Sequence, residues 1–139
     1  MRNQRQIVDY ALRRRALLGR WRAGHVDRSE ICDANPYLTR AARFHGESVE
    51  HPCPVCAKHR MSLVAWVFGD ELKQASGSAR KPDELEQMAE LFTEFTVYVV
   101  EVCLACGWNH LALSYVVGTG EPGTSAPAPR TRPRKSATP

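Results

Sequence analysis

Two cysteine pairs of identical spacing, Cys53-Pro-Val-Cys56 and Cys103-Leu-Ala-Cys106, constrain this chain more than anything else in it. Each C-x2-C can form one tight turn that aims two sulfurs at a common point about 2.3 Å away, the reach of a zinc–thiolate bond. Four thiolates fill a tetrahedral ion, and a filled site is structural, because catalytic zinc keeps one position for water. The spacing therefore points to one structural Zn2+ held by Cys53, Cys56, Cys103 and Cys106. The competing use of C-x2-C, a thioredoxin-like dithiol, needs a strand-to-helix junction of a βαβ unit, and neither pair sits at one.

The flanks of the pairs read as strands. The runs 61–68 (MSLVAWVF), 95–102 (FTVYVVEV) and 110–117 (HLALSYVV) are rich in β-branched and aromatic residues. Two knuckles pinched around one ion beside three such runs predict a three-stranded antiparallel zinc ribbon. Gly107 follows Cys106 where a positive φ turns the backbone onto the sulfurs, and Ala57 holds the matching place after Cys56. The 46 residues between Cys56 and Cys103 exceed what a ribbon needs. Residues of about 70–92 are therefore expected as an insertion, a mobile polar loop around 74–81 followed by a helix from about 84 to 92. His51, His59 and His110 lie near the cysteines and are expected as surface or supporting residues rather than ligands.

Ahead of the cysteines the pattern is helical. Residues 3 to 22 read as one helix, with Ile7, Tyr10, Ala11, Leu17, Leu18 and Trp21 on one arc. Arg14 falls inside that arc, so either its stem snorkels or the helix meets a partner that accepts the charge. Asp27-Arg-Ser-Glu30 is a capping box. Asn35-Pro36 starts a helix that runs to about His45 and stops at Gly46. Cys32, the odd fifth cysteine, is expected as a small buried hydrophobe. The fold class is thus α+β: a helical N-terminal unit over 1–48, a zinc ribbon with insertion over 49–118, and a disordered basic tail over 119–139.

The formal net charge of +4 is unevenly spread. Residues 1–22 hold seven arginines against Asp9 alone, while residues 70–101 hold eight acidic and three basic residues. Basic ends suit a polyanion or an acidic protein surface. Arg13, Arg14 and Arg15, with Arg130, Arg132, Arg134 and Lys135 of the tail, are the candidate contacts, and Trp66, Tyr98, Trp108 and Tyr115 are candidate apolar contact area. Arg40 and Arg43 mark the helix 36–45 as a candidate reading helix for nucleic acid. No apolar leader opens the chain and no run approaches the ~18 residues of a membrane span, so a cytoplasmic protein is expected. No phosphate loop, catalytic triad or metalloprotease motif is present. The expectation is a non-enzyme, without membrane or small-molecule substrate: an adaptor bound to a protein of the transcription or translation machinery. The alternative is direct DNA or RNA binding through helix 36–45 and the basic ends.

Longer segments carry a resemblance. Val8-Asp-Tyr-Ala-Leu12, Glu30-Ile-Cys-Asp-Ala-Asn-Pro-Tyr-Leu38, Arg43-Phe-His-Gly-Glu47, Gly69-Asp-Glu-Leu72, Glu94-Phe-Thr-Val-Tyr-Val-Val-Glu-Val-Cys103 and Gly107-Trp-Asn-His110 resemble an actinobacterial family of small uncharacterised zinc-ribbon proteins, a domain of unknown function. The resemblance implies the fold and a cytoplasmic setting and lends no catalytic residues. A looser likeness, at the level of fold, is to small zinc-ribbon factors that bind RNA polymerase in such bacteria.

Overall fold

The computed structural model describes residues 4–120. Its elements are β1 (Arg5–Asp9), α1 (Ala11–Arg22), α2 (Arg28–Ile31), α3 (Pro36–His45), β2 (Glu47–Pro52), β3 (Arg60–Phe68), a 3-10 helix (Asp70–Ala75), β4 (Ser78–Arg80), α4 (Pro82–Leu91), β5 (Phe95–Val102) and β6 (Asn109–Val117). The fold is mixed helix and antiparallel sheet, as expected, but the sheet is not a three-stranded ribbon. Six strands form one sheet in the order β1-β6-β5-β3-β2, with β4 also paired to β3.

Two corrections follow from the three strands the sequence reading missed. Residues 3–22 are not one helix: Arg5–Asp9 pairs with β6, and α1 starts only after Asp9, whose Oδ1 accepts the Ala11 N–H at 2.8 Å. The stretch 74–81 is not simply a loop: Ser78–Arg80 pairs with Ala65–Val67 of β3, and a 3-10 helix leads into it. Pro at its start lets α4 begin at Pro82, two residues before the expected position. The two N-terminal caps stand as expected. Asp27 and Glu30 form the capping box of α2, and Asn35 Oδ1 accepts from Leu38 N–H at 2.9 Å to open α3.

Strand alternation sends side chains to two covered faces. Val64 and Val102 face α3, whose Leu38, Ala41 and Ala42 pack against them. On the other face Val67, Val97 and Tyr115 lie beneath Leu72 and α4's Leu85 and Met88. A third cluster joins Leu18, Val26 and Ile31 to Met61, Trp108, Cys53 and Cys103 at one end of the sheet. Among the described residues, no helix is long and apolar enough to cross a membrane.

Candidate metal centre

The register of the sheet brings the cysteines together. Each C-x2-C is the loop of an antiparallel hairpin, the first between β2 and β3 and the second between β5 and β6. β3 and β5 are antiparallel neighbours with Ser62 opposite Val102, which puts the start of one beside the end of the other. Both hairpin loops therefore leave the sheet at the same end. The loops are near copies. Cys53 N–H donates to His59 C=O and Cys103 N–H to Trp108 C=O, both at 2.8 Å. Ala57 N–H donates to Cys53 C=O and Gly107 N–H to Cys103 C=O, both at 2.9 Å. Ala57 (φ 60) takes the same left-handed conformation as Gly107 (φ 91).

The four sulfurs of Cys53, Cys56, Cys103 and Cys106 all lie within 4.8 Å of one another. Across the two loops, Cys53 Sγ stands 3.6 Å from Cys106 Sγ, and Cys56 Sγ 3.8 Å from Cys103 Sγ. A tetrahedral thiolate complex with metal–sulfur bonds of about 2.3 Å has edges of about 3.8 Å, so the cluster fits a single ion. Backbone N–H groups aim at the sulfurs: Val55 and Cys56 donate to Cys53 Sγ at 3.3 and 3.5 Å, and Trp108 to Cys106 Sγ at 3.4 Å. Such donors stabilise thiolate charge. In the metal-free chain burial opposes that charge and pushes the Cys53 thiol up to about 12 and Cys103 upward too. Cys56, near the surface, is held down at about 6 by the Lys58 backbone N–H and then the His59 side chain.

The cluster is half covered. Cys53 and Cys103 are buried, while Cys56 and Cys106 border a polar depression of about 350 Å³ whose rim carries Arg28, Lys58 and His59. A dication with four thiolates carries two negative charges, and cationic groups at the rim offset them. Of the other histidines, His110 stacks on Trp108 with centroids 5.8 Å apart, and His51 is exposed on β2.

Cys32 corrects an expectation. It is the C-cap of α2, only half-buried where full burial was expected; it packs against the Leu18, Ile31 and Trp108 cluster, with its Sγ 3.7 Å from Cys106 Sγ. The signal that could have found it is thin, since a cysteine beside a cap looks like any small residue.

Behind the cluster sits a second polar group. Glu101, buried, accepts from Arg14 Nε and from Trp108 Nε1, both at 2.7 Å on Oε2. Arg14 thus has an acceptor within the chain, the partner its place on the apolar arc demanded, and ties α1 to the sheet next to the second knuckle.

The structure does not gather the other basic candidates into one patch. Arg13 lies over the Tyr10 ring at 5.5 Å and Arg15 is exposed on α1. Arg40 lies over Tyr37 at 5.8 Å and Arg43 is exposed, both on α3, across the sheet from Arg14 and Glu101. Arg130, Arg132, Arg134 and Lys135 lie outside the described residues. Two of the expected apolar contacts are core instead: Trp108 is fully buried and Tyr115 nearly so. The exposed aromatic residues that were not among the expected contacts are Tyr37 and Phe44, 77% and 66% exposed, and Phe68 at 43%.

A family model described as a family of unknown function (DUF5318) matches residues 1–132. A protein of Mycobacterium bovis (Mb0050) and two of Mycobacterium tuberculosis strains (MT0055 and Rv0049), each named an uncharacterized protein, are similar to this chain. All three are 54% identical over 115 residues, spanning 83% of this chain and 84% of theirs. No solved structure matches it.

Proposed function

We propose that this chain, which belongs to the DUF5318 family of unknown function, is a non-enzymatic adaptor of the transcription or translation machinery whose fold is pinned by one zinc ion. The observation that carries this reading is the closed donor set: four converging thiols at the shared end of two hairpins. Four thiolates suit tetrahedral zinc and leave no position for water or substrate, so the ion's work is to lock the hairpins. Elemental analysis separates zinc from iron. The interaction face we assign is the outer side of α3, where Tyr37 and Phe44 stand exposed with Arg40 and Arg43 between and beside them. Exposed aromatic and arginine side chains are the usual anchors of protein contacts, and the setting we assign is the cytoplasm.

The test is capture of tagged protein from a mycobacterial host, with nuclease treatment, compared with a Tyr37→Ala/Phe44→Ala variant. RNA polymerase or ribosomal proteins should be enriched by the unaltered chain and lost with the variant. Enrichment of neither would overturn the reading. A second reading, direct nucleic-acid binding by residues 36–45, is favoured by one feature: α3 carries Arg40, Arg43 and His45 with no acidic residue. It requires an affinity that falls with salt at a log–log slope of about −0.9 per phosphate contact on duplex DNA. A flat salt response eliminates it.

A further inference from the structure

Trp66 and Tyr98 are only half-buried, and strand pairing sets them side by side. Trp66 is opposite Tyr98, and Tyr98 is opposite Ser114 of β6. Residues paired in this way share one face of the sheet, with Cβ atoms about 5 Å apart. It is the face on which α3 packs against Val64 and Val102. Phe68, exposed, meets the Tyr98 ring edge-on with centroids 5.4 Å apart. On one side of this pair lies a depression of about 270 Å³, lined by Tyr37, Arg40 and Phe44 of α3 and by Trp66. On the other side Tyr10, between β1 and α1, brings its Oη 3.5 Å from Ser114 Oγ. The rings thus form a strip that runs from Tyr37 and Phe44 through Trp66 and Tyr98 to Tyr10.

An arginine stands at each end of the strip. Arg40 lies over the Tyr37 ring at 5.8 Å and Arg13 over the Tyr10 ring at 5.5 Å, and both residues are exposed. None of the residues of the strip is acidic. Asp70, Glu71 and Glu94 lie beyond it, past the end of β3 at Phe68 and the start of β5 at Phe95. Aromatic rings in a row with cations at both ends suit a chain of phosphates that carries unpaired bases. Every base has a π face, so stacking holds a single strand without reading its sequence. A duplex keeps those faces inside its own stack, and rings on an open sheet cannot reach them.

We propose that this strip binds single-stranded nucleic acid, with bases stacked on Phe44, Trp66 and Tyr98 and phosphates beside Arg13 and Arg40. The proposal deepens the second reading above, direct nucleic-acid binding, and rests on it. It moves the contact from a helix in a groove to the open face of the sheet.

The experiment titrates the full chain into fluorescent oligo-U and oligo-dT of about 12 nucleotides and into a duplex of the same length, read by anisotropy over a series of salt concentrations. At least one single strand should bind ten times more tightly than the duplex, and a contact to the 2′-OH shows as a preference for oligo-U. Tyr98→Leu should weaken that binding fivefold or more, whereas Tyr98→Phe, which keeps the π face, should bind as the unaltered chain does. Leucine at a half-buried site can disturb folding, so the exposed Arg13→Gln and Arg40→Gln variants are read as well. Each should flatten the log–log salt slope by about 0.7, the share of one phosphate on a single strand.

Single-strand affinity that Tyr98→Leu leaves unchanged, or a slope that neither arginine variant alters, overturns the proposal. Duplex bound as tightly as single strand also overturns it and leaves the second reading standing on α3. Binding of no oligonucleotide removes that reading together with the proposal. The strip is then a protein contact, and the adaptor reading is decided by its own capture experiment.

Discussion

Ala57 and Gly107 hold the same place in the two knuckles and meet different surroundings. Both have left-handed φ, 60 and 91, and both donate their N–H to the first cysteine's carbonyl. A side chain in that conformation costs about 1–2 kcal/mol, part of which glycine gives back through its larger chain entropy. Ala57 is exposed, so only this backbone term applies. Ala57→Gly should therefore stabilise the metal-loaded protein by about 0.5–1 kcal/mol, read as a raised urea midpoint at unchanged slope. Gly107 bears a second constraint, the Cys32 carbonyl 2.9 Å from where its Cβ would sit. Gly107→Ala should cost about 2 kcal/mol or more and loosen the α2–α3 connection, visible as faster amide exchange at Ala34. Equal effects of the two substitutions would show that the Cys32 segment does not press on the second knuckle.

At the scale of elements, α1 is joined to the sheet by one charge pair as well as by apolar contact. Glu101 is buried and its Oε2 accepts from both Arg14 and Trp108, while the Arg14 side chain keeps 30% of its exposure. Removing the cation leaves a buried carboxylate without its counter-charge, which costs several kcal/mol in full burial and about 2–3 kcal/mol with this much solvent access. Arg14→Met should destabilise by that amount. Glu101→Gln keeps an acceptor for the indole N–H, so the Arg14→Met/Glu101→Gln protein should recover part of the loss in urea titrations. Additive effects in that cycle would mean the pair contributes nothing beyond its separate parts.

The same elements show what was legible from residues alone. An arginine on an apolar arc signalled inward charge, and the acceptor it meets is Glu101 inside an apolar strand. α2, α3 and the strands at 60–68, 95–102 and 109–117 could be read because their caps and buried faces leave a period in the sequence. β1, β2 and β4 left none. β1 is almost wholly exposed, with Ile7 and Val8 facing solvent at the sheet edge, and β2 is Glu-Ser-Val-Glu-His-Pro with only Val49 partly covered. Edge strands are held by hydrogen bonds to a neighbour, and no residue pattern records that neighbour. The cluster of four cysteines that could hold a metal ion was legible for the opposite reason, since the spacing carries the chemistry. The place of Cys32 beside Cys106 was not, because the two sulfurs meet across 74 residues of sequence.

For the whole molecule, the placement of the four-cysteine cluster decides how the fold would answer loss of an ion held there. The cysteine end holds Cys53, Cys103, Met61 and Trp108 beneath α1 and α2, whereas Val67, Phe95, Val97 and Val117 form a separate cluster under α4 at the other end. An ion bound only by the folded chain stabilises it by about 4 kcal/mol when present at a thousand times its dissociation constant. Chelation under reducing conditions should lower the unfolding temperature and speed amide exchange at 53–60 and 102–109, while 65–68 and 95–99 stay protected longer. Proton balance gives a sharper test. Burial raises Cys53 to about 12 and lifts Cys103 as well, so both are thiols at pH 8 in the metal-free fold, whereas Cys56 at about 6 is already thiolate. Zinc can bind Cys53 and Cys103 only as thiolates, so uptake at pH 8 must release at least about two protons. Affinity therefore climbs as pH rises and falls as pH is lowered, because protons compete for the same sulfurs. Calorimetry of zinc uptake in buffers of different ionisation enthalpy reads that number directly. Release of fewer than one proton would mean that the buried thiols are not ligands, and that the two hairpins are held together by packing alone.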